Sequence, residues 1–127
     1  MADDPDAWAT VAVRVRVPGL TCNEISKHLG IAVKASSRHP AVWTYDVPVS
    51  KDLMLNEHLD ALSAFLTVNK ERFAAVPEEG EVDVVIGWRP RRGQDVSTFT
   101  PELVACLARL GAGIVTWTYS DDRPDEE

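Results

Sequence analysis

Apolar and polar positions alternate strictly along Val11-Ala12-Val13-Arg14-Val15-Arg16-Val17, with β-branched residues on one parity. That period of two predicts a half-buried strand, which Pro18-Gly19 closes. Thr21 then caps a helix from Cys22 to about Leu29, with Glu24 placed to complete a capping box and Gly30 as a left-handed stop. A polar loop containing Pro40 leads to a second strand over Val42–Val49, whose Pro48 favours a place at a sheet edge.

The period changes to 3.6 in the middle of the chain. Leu55, Leu59, Leu62 and Leu66, with Phe65 beside them, form one apolar stripe of a long leucine-rich helix. Asn69 is the expected cap of a second short helix ending near Val76. Glu81–Trp88 predicts a third strand and Arg89-Pro90-Arg91-Arg92-Gly93 a basic turn. Thr100-Pro101 opens a helix whose buried face is Leu103, Leu107 and Leu110, with Gly111 as its stop. Ile114–Tyr119 is the last strand.

The two ends of the chain echo each other. Each holds a strand, a Thr-capped helix with an early Glu, a Leu-Gly stop and an aromatic strand, Trp43-Thr44-Tyr45 or Trp117-Thr118-Tyr119. The expected fold is α+β: two β-α-β halves forming a four-stranded, ferredoxin-like mixed sheet. Its helices lie on one face, and the leucine-rich helix is inserted between the halves. Residues 10–120 form the domain, between an acidic tail over 1–9 and another, disordered, over 121–127.

Alternation also sorts the sheet into faces. The expected core face carries Val11, Val13, Val15, Val17, Trp43, Tyr45, Val47, Val82, Val84, Ile86, Trp88, Val115, Trp117 and Tyr119. The expected open face carries Arg14, Arg16, Thr44, Asp46, Asp83, Val85, Gly87, Arg89, Thr116 and Thr118. With its aromatics turned inward, such a face lacks the stacking platform that nucleic-acid-binding sheets use.

Charge narrows the choice of partner. The formal net charge of −7 is carried by the two ends, which hold eight acids and one base, while residues 8–120 hold twelve of each. A neutral body with acidic ends does not fit a nucleic-acid binder. The start of the chain lacks the pattern of a signal peptide, and no apolar run approaches the length of a membrane span. A cytoplasmic protein with no membrane contact is expected, with Cys22 and Cys106 as buried, reduced thiols.

Catalytic signatures are missing. His28, His39 and His58 form no metal-ligand spacing, and no nucleophile elbow or phosphate-cradling glycine loop occurs. No cofactor, metal or catalytic residue is therefore expected, and the protein is read as not an enzyme. Candidate partner-binding residues are the outward Arg14, Arg16, Asp46, Asp83 and Arg89 with the turn residues Arg91 and Arg92. The cluster Arg89, Arg91 and Arg92 could clamp a carboxylate, a phosphate or an acidic partner loop, or simply lie solvated.

Thr21-Cys22-Asn23-Glu24-Ile25, Trp43-Thr44-Tyr45 and Thr100-Pro101-Glu102-Leu103 before Leu110-Gly111 together resemble a bacterial family, domain of unknown function 4279, from Val11 to Tyr119. The family has no established catalytic residues, and some members look like immunity proteins of toxin systems. The resemblance implies a non-enzymatic bacterial interaction module, of the immunity type that binds and blocks a toxin. A small-molecule-sensing regulatory domain is the alternative, a small enzyme comes third, and a homodimer is left open.

Overall fold

The computed structural model describes residues 7–90 and 97–118. Strand β1 (Trp8–Arg16) is followed by helix α1 (Cys22–Leu29), strand β2 (Trp43–Asp46), helix α2 (Leu55–Val68) and the short α3 (Lys70–Phe73). Strand β3 (Glu81–Arg89), helix α4 (Pro101–Leu110) and strand β4 (Gly113–Thr118) complete the α+β fold. β1 begins at Trp8, so Trp8 and Ala9, expected in the acidic tail, belong to the sheet.

Local signals explain most of these boundaries. Thr21 Oγ1 accepts the Glu24 N–H at 3.2 Å while Glu24 Oε1 accepts the Thr21 N–H at 2.9 Å, a complete capping box. Thr100 Oγ1 accepts the Leu103 N–H at 3.2 Å, with Pro101 just inside α4. Gly30 ends α1 at a φ of 72°, and the Arg72 guanidinium fills the space a side chain would need there. Arg72 Nη1 donates to the Leu29 and Gly30 carbonyls at 3.2 and 3.3 Å, which satisfies the end of α1 from α3. Asn69 does not cap α3 as expected. Its amide reaches back to the Phe65 carbonyl at 2.9 Å, ending α2 instead.

The strand order is β2-β1-β3-β4. β1 pairs antiparallel with β2 and along its whole length with β3, whereas β3 and β4 run parallel. This departs from the ferredoxin-like expectation, in which a strand would separate the two strands of each β-α-β half. It also breaks the internal echo. β1 and β2 are antiparallel neighbours across α1, and β3 and β4 are parallel neighbours across α4, so the halves are not copies of one unit.

The core lies between the sheet and the helices. Val11, Val13 and Val15 of β1 and Val82, Val84 and Ile86 of β3 meet Leu55, Leu59, Leu62 and Leu66 of α2 and Ile25 and Leu29 of α1. At the β2 edge, Trp43 is fully buried and donates its indole N–H to the Ile31 carbonyl at 3.1 Å. Tyr45 stacks on Phe65 with centroids 4.0 Å apart, and Phe73 stands edge-on to both Trp43 and Phe65 at 5.9 Å. Both cysteines are buried and unpaired.

Candidate functional site

Strand pairing fixes which residues share the face turned away from the helices. Directly opposed residues point to the same side, so the register gives five rows across the sheet. They are Arg16–Glu81, Thr44–Arg14–Asp83–Gly113, Asp46–Ala12–Val85–Val115, Thr10–Gly87–Trp117 and Trp8–Arg89. Five of the seven candidate residues, Arg14, Arg16, Asp46, Asp83 and Arg89, therefore do stand on one surface. Arg91 and Arg92 lie outside the described residues.

The last strand contradicts the expected face assignment. Gly87 opposes Trp117 and Val85 opposes Val115, so those two side chains lie on the open face. Ile114, Thr116 and Thr118 take the helix side instead. Trp117 is 60% exposed and Ile114 48%, so neither belongs to the core. The physical reason is a strand with apolar residues on both parities, in which alternation cannot choose a phase; pairing with β3 chooses it. Helix α4 packs on α2, where Thr67 Oγ1 and Cys106 Sγ are 3.7 Å apart, and leaves β4 thinly covered.

Trp8 adds a second indole that sequence reasoning missed. A Cβ on Gly87 would stand 3.1 Å from the Trp8 ring and 2.8 Å from Thr10 Oγ1. Only a glycine lets the ring lie down on the strand at that point. Gly87 thus sits between two tryptophans, with Ala12, Val85 and Val115 as an apolar floor in the next row. The signal available in sequence was Trp8 itself, which continues the outward parity of Thr10, Ala12, Arg14 and Arg16.

Around this patch the charges balance. Arg14 Nη2 lies 3.5 Å from Asp83 Oδ2, with both side chains over a quarter exposed, and the Arg14 Nε–H is buried without an acceptor. Arg16 faces Glu81 across the ladder, and Asp46 stands exposed at the end of β2. Three arginines and three carboxylates make no electropositive groove of the kind that tracks a phosphate backbone. Trp8 and Trp117 stand on this face, contrary to the expectation that it lacks aromatics, so its balanced charge alone speaks against nucleic acid.

A separate cleft of about 570 Å³ opens at the end of β1, lined by Arg16, Val17, Pro18, Gly19, Leu20, Thr21, Ala41, Val42, Glu79 and Glu81. Its lining is mostly apolar and includes three charged residues, Arg16, Glu79 and Glu81. Comparison with known proteins gives no relative. No family model, no curated protein and no solved structure matches the chain. The family resemblance therefore rests on the motifs quoted for it.

Among the described residues, no three His, Cys, Asp or Glu side chains converge as a metal cage, and no helix is long and apolar enough to cross a membrane. His58 is the one buried polar side chain among them, 1% exposed on α2. Loss of hydration pushes its pKa below the ordinary 6.5, outweighing the Ser50 and Leu53 backbone and the Glu57 carboxylate, which favour the charged ring. Neither ring nitrogen completes a hydrogen bond.

Proposed function

We propose that this chain is a non-enzymatic protein-interaction module whose contact surface is the helix-free face of the sheet. The carrying observation is the row Thr10–Gly87–Trp117 with Trp8 laid over Gly87, set in a rim of balanced charges. Exposed tryptophan and arginine around a small apolar floor match the composition of binding hot spots, where polar groups at the rim exclude water. In the immunity-type form of this reading, the partner is a bacterial toxin and the face occludes it.

The test uses the full chain as bait for its partner. Thr10→Glu places a charge at the β1 end of the tryptophan row, and the paired swap Arg16→Glu with Asp46→Arg inverts the rim; all three positions are exposed. Both variants are expected to lose a protein that the wild type retains, while Glu102→Lys on α4 keeps it. A partner held equally by all variants refutes the assignment of the face. For the toxin form, the retained protein must arrest growth when expressed alone and be neutralised by co-expression.

The cleft supports a second reading, a small-molecule-sensing domain, because about 570 Å³ of mostly apolar space falls within the usual range of ligand sites. A rise in Tm with a metabolite, abolished by Ala41→Trp in the cleft wall, favours that reading over the first.

A further inference from the structure

The two edges of the sheet are built differently. β2 is short and ends at Asp46, just before Pro48, features that discourage a further strand. β4, the last strand on the other side among the described residues, reads Gly113-Ile114-Val115-Thr116-Trp117-Thr118. It holds no charge and no proline, and five of its six residues are exposed. We propose that this edge pairs with the same edge of a second copy, antiparallel about a two-fold axis through Val115.

Symmetry and sequence agree on the register. An axis normal to the sheet keeps each copy's open face on the same side, so opposed residues must share parity and the axis must pass through a residue. Centred on Val115, the pairing sets Val115 against itself, Ile114 against Thr116, and Gly113 against Trp117, twice. Glycine at a sheet edge is weak because it has no side chain to pack, and an aromatic directly across the ladder covers that gap. Gly113 and Trp117 are equidistant from Val115, so one strand supplies both the gap and the cover.

The surroundings of Gly113 fit this cover. Asp83 turns Oδ1 over it, 2.7 Å from where a Cβ would be, in a row whose next member is Arg14. The indole of Trp117 from the second copy brings an N–H donor to that carboxylate, which gives its polar edge an acceptor. On the helix side the same register lays Ile114 beside Thr116 of the second copy. An uncharged edge meets itself without like charges opposed, whereas the Asp46 edge of β2 would not. The dimer is a continuous eight-stranded sheet with both tryptophan rows on one side.

The inference stands apart from the identity of any other partner. Sedimentation velocity of the full chain is expected to show a reversible dimer over about 1–200 μM. Trp117→Ala and Thr116→Lys, both at exposed positions, are each expected to weaken it at least about tenfold without changing far-UV circular dichroism. Val115→Cys is expected to give a covalent dimer on mild oxidation. Thr118→Cys is not, since its two copies would lie about 20 Å apart. The native thiols, both buried, serve as the background. A monomer throughout the range overturns the proposal. So does a dimer indifferent to both edge variants, a cross-link at 118 but not at 115, or a dimer that forms only after residues 119–127 are removed.

Discussion

Replacing His58 with leucine tests how the α2 face is stabilised. The ring stands in the stripe of Leu55, Leu59, Leu62 and Leu66, fully enclosed, with the Ser50 and Leu53 backbone beside it but neither nitrogen completing a hydrogen bond. Burying a polar group without a hydrogen bond costs about 1–3 kcal/mol, and leucine of similar volume removes that cost. Leucine is also the better helix former by a few tenths of a kcal/mol. His58→Leu is therefore expected to stabilise the fold by about 1–2 kcal/mol at pH 7.5, raising Tm by about 4–8 °C. The pH dependence supplies a second reading of the same substitution. Because burial lowers the folded-state pKa below 6.5, the unfolded chain takes up the proton first. The wild type then loses stability as pH falls from about 6.5 toward the folded value, at up to about 1.4 kcal/mol per unit. The leucine variant lacks this component. Urea titrations followed by circular dichroism between pH 5 and 8 measure both effects, and the exposed His28 and His39, present in both chains, cancel in the difference. A variant less stable than the wild type, with the pH slope unchanged, would show that the ring nitrogens are engaged and refute the reasoning.

Three other outcomes follow from the packing. Gly30→Ala forces a side chain into left-handed backbone and onto the Arg72 guanidinium, and should cost at least about 1 kcal/mol in chemical denaturation; a neutral result would mean that α3 is not tied to α1. Trp43→Ala should lose about 3–5 kcal/mol, but Trp117→Ala within about 0.5 kcal/mol measured on dissociated monomer, because one indole is enclosed and the other stands in solvent. Glu24 is held below its ordinary 4.5 chiefly by the Thr21 N–H, so its contribution is present above that value and fades as pH falls through the lowered one. Glu24→Gln should flatten the acid limb of the stability curve, and an unaltered limb would contradict the capping box.

Wherever one residue dictates its own neighbourhood, the sequence was legible. Thr21 with Glu24, Thr100 with Pro101 and the two stop glycines act within a turn or two, and each does what its chemistry requires. The valine alternation of β1 was equally decisive, because all of its valines share one parity. β4 offered Ile114 on one parity and Val115 and Trp117 on the other, so its phase depended on a partner over 25 residues away. The same limit hid the tryptophan row, which exists only once Trp8, Gly87 and Trp117 are brought side by side by two ladders. Strand order was not written locally at all. Similar motifs around α1 and α4 led to similar expectations, yet one pair of strands returned antiparallel and the other parallel.

The long ladder between β1 and β3 has a consequence for biogenesis. Its nearest pair joins Arg16 to Glu81 and its farthest joins Trp8 to Arg89, so the central strand emerges from the ribosome long before its main partner. Until then its only strand partner is the brief β2, and although α1 and α2 can already cover its valine row, the backbone edge that β3 will pair stays open. Chain closure across such a span slows folding, and a nascent chain halted before residue 81 would present a sticky, unfinished edge to chaperones or to its neighbours on the polysome.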